Sequence, residues 1–505
     1  MKIEILDTTL RDGEQTTGVS FSPQEKLTIA RLLLEELRAD RVEIASARVS
    51  DADADAVRRV AEWAAQNDYI EQIEVLGFVD GGVSVDWIAE RGCRVMNLLC
   101  KSSEKHCVEQ LKKTPEQHLA DIKNTLKYAA EKEIFVNLYL EDWSNGMKHS
   151  PAYVRFLLDN LKDTSVRRFM LSDTLGILNP HETAKFCSTM VECYPSLHFD
   201  FHAHNDYDLA VANVFEAVQV GVRGIHVTVN GLGERAGNAP LTSVVAALHD
   251  HLKAETTIVE NKVNMLSRVV ETFSGIRIPH NKPVIGENVF TQVAGVHADG
   301  DNKKNLYFND LLPERFGRRR EYALGKTSGR ANIKNNLKQL GIELDDDTMQ
   351  KVTQRVIELG DRKEIISPDE LPFIVADVLN APQEQTIKIL NYSLSLAYGL
   401  RPTATVKMQI NGENYEQTAA GDGQYNAVSK AMWKIYKSLG KPAPELIDYA
   451  VVIPPGGQTN AIVQTIITWR FEEKTFKTRG LDSDQTVAAI KATMKMLNMI
   501  ERFNV

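Results

Sequence analysis

Two stretches of this 505-residue chain carry side chains whose types and spacing suit catalysis. In Asp7-Thr8-Thr9-Leu10-Arg11-Asp12-Gly13-Glu14-Gln15, acids, an arginine and an amide crowd together. Such a cluster is costly to desolvate without a purpose; a solvated loop with an internal salt bridge is the plainer reading. The second stretch is His198-Phe199-Asp200-Phe201-His202-Ala203-His204-Asn205-Asp206. On a strand, period two puts Asp200, His202 and His204 on one face and Phe199, Phe201 and Ala203 on the other. Two histidines so spaced aim two imidazoles at one metal ion. Hydrogen-bonded core histidines would show the same spacing.

Other pieces would join them. The loop Asn230-Gly231-Leu232-Gly233-Glu234-Arg235-Ala236-Gly237-Asn238-Ala239-Pro240 can turn closely, and Asn238 either caps the next helix or offers its amide oxygen to a metal. Glu141, at the end of one apolar run, is a general base, a substrate ligand or simply a solvated acid; Ser172-Asp173-Thr174 ends another run. An aspartate, His202, His204 and Asn238, with an arginine and a spare carboxylate, make one site. Nitrogen and oxygen donors without sulfur suit Zn²⁺, Mn²⁺, Mg²⁺ or Co²⁺. Such an ion would chelate a 2-oxoacid and polarise its carbonyl.

The elements that must position these residues alternate regularly. Apolar or β-branched runs fall at 3–8, 41–46, 72–78, 94–100, 134–140, 166–172, 198–204 and 224–230. Helical periods lie between them at 23–38, 52–66, 84–91, 115–132, 151–161, 180–193, 208–220 and 240–253. Ser22 is a fitting N-cap, and Pro115, Pro151, Pro180 and Pro240 sit near helix starts, where a missing N–H is harmless. Eight such units predict an α/β fold, a (β/α)8 TIM barrel over 1–275, with an open doubly wound sheet as rival. In a barrel the chemistry belongs at the C-terminal strand ends, where the polar clusters fall.

The pattern then changes. Residues 276–325 read as an irregular connector and 326–384 as a helical one, with helices at 328–340, 346–360 and 368–380 and a linker-like break at 381–385. Residues 385–505 read as strand–strand–strand–helix twice, with a turn at Asn411-Gly412 and Gly421 and Gly480 in equivalent places. Composition is globular: 43% hydrophobic and 25% charged residues exclude a disordered chain. A net charge of −9 argues against nucleic acid or anionic membrane as partner. There is no targeting segment at the N-terminus and no long apolar run, which predicts a cytoplasmic protein. Five cysteines without CxxC suggest neither a disulfide framework nor a thiolate zinc site.

LRDGEQ (10–15), HAHND (202–206) and NGLGERAGN (230–238) resemble the motifs of the 2-isopropylmalate, homocitrate and citramalate synthases, a family of metal-dependent TIM barrels. The resemblance covers almost the whole chain. Within the family, VEIASARVS (42–50), LGFVDG (76–81), YLEDWSNG (139–146), FTQVAGVHADGD (290–301) and LPERFGR (312–318) resemble the pyruvate-dependent bacterial branch. The resemblance implies that Asp12, His202, His204 and Asn238 bind the metal, that Arg11 stabilises an oxyanion and that Thr174 binds the substrate carboxylate. It implies acid–base roles for Glu141 and His297 on the acetyl-CoA methyl group, supported by Tyr307. His297 and Tyr307 would come from a partner subunit's connector, in a homodimer. The implied reaction joins acetyl-CoA to pyruvate, gives (R)-citramalate and releases CoA, on a route to isoleucine.

Which oxoacid is taken turns on bulk. Where isopropylmalate synthases typically have a small serine, this chain has Tyr139; with Leu76 and Leu99 it would shrink the pocket to pyruvate's methyl group, unless these residues merely pack the barrel top. The C-terminal repeat resembles the family's regulatory domain, which implies an amino-acid pocket near Tyr425, Leu446, Tyr449, Ile453, Val463 and Gln485. Isoleucine fits a citramalate route and leucine an isopropylmalate route, while a plain dimerisation core explains the same apolar face. The rival functions are 2-isopropylmalate synthase, a metal-dependent aldolase or lyase, and a non-catalytic amino-acid sensor.

Overall fold

A computed structural model of the chain describes residues 1–503 apart from 304–305, 362–365, 367, 369–370, 380–386, 453–462 and 473. The apolar runs become β1 (Glu4–Asp7), β2 (Arg41–Ser46), β3 (Ile73–Phe78), β4 (Val95–Lys101), β5 (Phe135–Glu141), β6 (Val166–Asp173), β7 (Phe199–Ala203) and β8 (Gly224–Val227). All pair in parallel, and β8 closes on β1. The expected barrel is therefore present and the open sheet is not. Strand eight stops at Val227 rather than 230, because Asn230 (φ 61°) and Gly231 (φ 74°) turn the chain out in left-handed conformations.

The helices are α1 (Pro23–Arg31), α2 (Asp51–Gln66), α3 (Val83–Glu90), α4 (Pro115–Glu131), α5 (Trp143–His149), α6 (Pro151–Leu161), α7 (Pro180–Cys193), α8 (Ala210–Gln219), α9 (Leu241–Leu252) and α10 (Val263–Ser274). Ser22 with Glu25, Thr114 with Gln117 and Asn179 with Glu182 form reciprocal caps, each followed by proline in the first turn. Two of these helices were not expected. α5 follows Asp142 directly, and it buries Trp143, Ser144, Gly146 and Met147, so it shows no amphipathic period. α10 extends the barrel unit beyond the eighth repeat.

Inside the barrel, Leu6, Leu76, Tyr139 and Met170 cluster, with Phe78 and Leu99 against them. Outward-facing Ile5, Val75, Leu138, Phe201 and Ile225 pack under the helices. A buried polar layer is also present: Arg41 bonds Glu74 at 3.1 Å and Asp200 at 2.5 Å, and Asn97 bridges Glu43 and Glu74. Gly224 makes room for it, since a side chain there would collide with the Asp200 carboxylate.

One compact unit is Met1–Thr291 with Phe308–Arg320; the other is Gln292–Tyr307 with Glu321–Val505. The 276–325 segment is thus shared between the two. Arg315 ties residues 308–320 to the barrel unit through Asp250 (2.5 Å) and Glu260 (2.5 Å), and Phe316 stacks on Phe290. The chain passes from the first unit into the second within β9 (Thr291–Gln292), which pairs with β10 (Glu321–Tyr322); the second unit also holds α11 (Gly295–Asn302), α12 (Arg330–Gln339), α13 (Asp346–Asp361) and α14 (Leu371–Val378). α11 was read as irregular because its sequence, GVHADGDN, is poor in helix formers. The linker-like break at 381–385 lies outside the described residues.

The repeat is there as two antiparallel meanders, each followed by a helix. They are β11 (Ile387–Ser395), β12 (Thr403–Ile410), β13 (Glu413–Ala420) and α15 (Gln424–Ser438), then β14 (Glu445–Val452), β15 (Val463–Phe471), β16 (Lys474–Asp482) and α16 (Gln485–Phe503). Asn411 (φ 52°) and Gly412 (φ 87°) make the tight turn that their identity predicts. Both helices share one core with their sheets. Among the described residues no helix is long and apolar enough to cross a membrane.

Candidate metal and substrate site

The loop after β1 is pinned before it presents anything. Asp7 accepts the Thr9 N–H at 2.9 Å, and the buried Lys26 ammonium reaches the Leu10 carbonyl at 3.1 Å, Glu14 at 2.6 Å and Asp53 at 2.6 Å. Arg11 and Asp12 between these anchors are held at the C-terminal end of the barrel. Arg11 donates to Glu43 at 2.6 Å and to the Tyr139 hydroxyl at 3.2 Å, and lies 3.1 Å from Asp12.

Period two on β7 brings His202 and His204 to the same place. Asp12 Oδ2 lies 3.2 Å from His202 Nε2 and 3.8 Å from His204 Nε2, and the two Nε2 atoms are 3.4 Å apart. These three ligand atoms all lie within 4.8 Å of one another, and all three residues are buried. His204 bridges to Asn238, whose amide nitrogen donates to the Leu232 carbonyl. Asn238 Oδ1 and Asp12 Oδ1 are buried without a hydrogen-bond partner among the described residues. A carboxylate oxygen and two imidazoles around one point, with a second Asp12 oxygen and the Asn238 amide oxygen buried and unsatisfied, fit a hard or borderline divalent cation.

The electrostatics agree. Burial opposes ionisation of Asp12, but Arg11, His202 and His204 outweigh it and hold the carboxyl well below its usual range. Burial pushes both imidazoles down, His204 to about 4, so both offer neutral nitrogen donors. Burial and the neighbouring Glu43 raise the Tyr139 phenol well above its usual value, keeping its proton on.

Leu76, Leu99 and Tyr139 meet in the apolar cluster beneath Arg11, and the Tyr139 ring meets His202 edge-on at 5.8 Å. Glu141 is ion-paired with Lys101, its neighbour in register on β4. The Thr174 hydroxyl accepts the Asp142 N–H at 2.8 Å, leaving its own O–H to donate. His297 and Tyr307 belong to the second unit, their rings 4.3 Å apart. In the C-terminal repeat the Tyr425 ring lies tilted against Tyr449 with centroids 5.4 Å apart and its hydroxyl bonds Thr493 at 2.7 Å, Val463 is buried, and Leu446 and Gln485 are exposed. Ile453 lies outside the described residues.

Sequence reasoning missed Lys26, Glu43, Lys101 and His226. Glu43 had a legible signal: with Arg41 it places two charges at period two on an otherwise apolar strand. Lys101 had none, since only strand register pairs it with Glu141.

Comparison with known proteins adds the lineage. The HMGL-like family model matches residues 2–270, the homocitrate synthase post-HMGL domain-like model residues 284–364, and the LeuA allosteric (dimerisation) domain model residues 365–501. The (R)-citramalate synthase of Methanocaldococcus jannaschii is 32% identical over 99% of this chain and 100% of its own length. A Methanopyrus kandleri protein provisionally named (R)-citramalate synthase is 33% identical over 94% of this chain and 91% of its own. Another from the same organism, provisionally named 2-isopropylmalate synthase, is 32% identical over 99% of each. These relatives are archaeal, so the bacterial part of the resemblance is not supported. With a barrel match covering more than half of it and full-length relatives above 30% identity, the chain belongs to the HMGL-like family, in the group that carries a LeuA-type C-terminal domain.

Proposed function

We propose that the protein condenses acetyl-CoA with pyruvate and water to give (R)-citramalate and CoA. The observation that carries this is the buried Asp12–His202–His204 trio beside Arg11, with Tyr139, Leu76 and Leu99 filling the space below. A divalent cation, when bound, supplies Lewis acidity toward a 2-oxoacid ketone. Asp12, His202, His204 and Asn238 would hold it. Thr174 would donate its hydroxyl proton to the substrate carboxylate. A base, Glu141 or His297 of the partner subunit, takes a proton from the acetyl methyl group. The resulting carbanion forms a C–C bond with the ketone carbon, and Arg11 stabilises the charge that grows on the ketone oxygen until it is protonated. Water then attacks the thioester, the C–S bond breaks, and CoA leaves as its thiol. Tyr307 of the partner subunit supports the acid–base step. The LeuA-type domain match supports a homodimer, which we place in the cytoplasm, and feedback inhibition by isoleucine through the pocket at Tyr425 and Tyr449.

The relative named for 2-isopropylmalate favours a second reading, with 2-oxoisovalerate as substrate and leucine as effector. The wall favours the first reading: Tyr139 is 2% exposed and clusters with Leu6, Leu76 and Met170, bulk that supports a pocket sized for a methyl group. The test is acetyl-CoA-dependent CoA release with pyruvate, 2-oxobutyrate, 2-oxoisovalerate and 2-oxoglutarate, with and without divalent metal. Metal-dependent preference for pyruvate is expected; preference for 2-oxoisovalerate would replace this reading by the second. Tyr139→Ser should raise the relative rate with 2-oxobutyrate by at least about tenfold, and an unchanged profile would remove Tyr139 as the size gate.

A further inference from the structure

The Tyr139 hydroxyl is the meeting point of three polar groups. Arg11 Nη2 donates to it at 3.2 Å, Glu43 Oε2 lies 3.4 Å away and His226 Nδ1 3.1 Å away. His226 is on β8, fully enclosed, and no motif draws attention to it. Its ring meets the Tyr139 ring edge-on, with centroids 5.4 Å apart. On its other side His226 Nε2 faces Asp200 Oδ2 at 3.1 Å, and Asp200 also takes Arg41 Nη2 at 2.5 Å and faces His198 at 3.1 Å.

These contacts fix who donates. Asp200, ion-paired with Arg41 at 2.5 Å, presents carboxylate oxygens that only accept. Nε2 of His226 therefore carries its proton. In a neutral imidazole protonated at Nε2, Nδ1 is bare and accepts. The Tyr139 O–H then donates to His226 at 3.1 Å rather than to the more distant Glu43 at 3.4 Å, and its oxygen lone pairs accept from Arg11. In the other tautomer the bare Nε2 would face the Asp200 carboxylate, acceptor against acceptor, at full desolvation cost.

We infer that His226 is a positioning residue for substrate specificity: its hydrogen bond holds the Tyr139 ring across the end of the 2-oxoacid pocket, with Asp200 and Arg41 keeping His226 in the tautomer that accepts. This rests on the reading of Tyr139 as the pocket wall. A Tyr139 ring that has lost this bond keeps its packing and the longer contacts to Arg11 and Glu43, but nothing on the β8 side holds its hydroxyl. An unlocked ring can swing aside for a longer substrate, which weakens discrimination without touching the metal ligands.

The test is the ratio of kcat/KM for pyruvate to that for 2-oxobutyrate, measured on wild type, His226→Leu, His226→Asn, Tyr139→Phe and the Tyr139→Phe/His226→Leu double variant. A ratio within one preparation cancels the active fraction, so loss of folded protein does not move it. It should fall about tenfold in His226→Leu and in Tyr139→Phe, with little further loss in the double variant because both cut the same bond. His226→Asn, whose amide oxygen can accept the phenolic proton, should stay within about threefold of wild type. Bound metal should be unchanged throughout. An unmoved ratio in His226→Leu, or fully additive losses in the double variant, would overturn the lock. A wild type preferring 2-oxoisovalerate would sink the citramalate reading yet leave the lock testable as the ratio of its two best substrates.

Discussion

Asp12 meets three groups: Arg11, His202 and His204. Deleting its carboxylate removes one metal donor and leaves Arg11 with Glu43 as its carboxylate partner. Asp12→Ala should therefore lose bound metal and slow CoA release by at least about a hundredfold. The fold should survive, because β1 and its packing do not depend on that side chain. Elemental analysis beside circular dichroism checks this; a folded Asp12→Ala protein with wild-type metal content would take Asp12 out of the ligand set.

At the scale of elements, the turn at Pro313–Phe316 is held to the barrel unit by the Arg315 fork on Asp250 and Glu260, with His249 on the same carboxylate at 2.9 Å. Burial opposes ionisation of Glu260, but His249 and Arg315 bring it down to about 2 from an ordinary 4.5. A depressed carboxyl contributes stability that is complete above the unfolded value and lost as pH falls through the folded one. The clasp should thus hold at neutral pH and weaken between pH 4.5 and about 2. Arg315→Ala should cost about 1–3 kcal/mol, a few degrees in Tm, and expose the 308–320 segment to protease. The Tm gap between wild type and Glu260→Gln should narrow as pH drops over that window; a gap independent of pH would remove the ion pair as its cause.

At the scale of the whole molecule, the two βββα units meet their helices through the same device. Gly421 and Gly480 let the chain approach Ala427 and Ala488 so closely that any side chain would strike helix backbone. Gly480→Val should melt the C-terminal repeat early and abolish the proposed inhibition by isoleucine, while the proposed metal content of the barrel is unchanged. Calorimetry and inhibition curves read the two effects apart. Retained inhibition with a normal melt would mean that the close approach is not needed to keep the repeat, or its effector pocket, intact.

The sequence by itself determined the barrel, the repeat and the caps, because these rest on local physics. Period two along β7 put His202 and His204 on one face, Ser22 and Glu25 closed a helix end, and Asn411-Gly412 made a turn. α5 and α11 escaped, one because its residues are buried without an amphipathic stripe, the other because its residues are weak helix formers. Only the tertiary structure decided which distant groups share a donor. Closure of β8 on β1 brings the Asp12 loop to the β7 histidines, strand register pairs Glu141 with Lys101, and barrel packing lines up Asp200, His226 and the Tyr139 hydroxyl. Those outcomes depend on desolvation and on neighbours far apart in the chain, which no local pattern encodes.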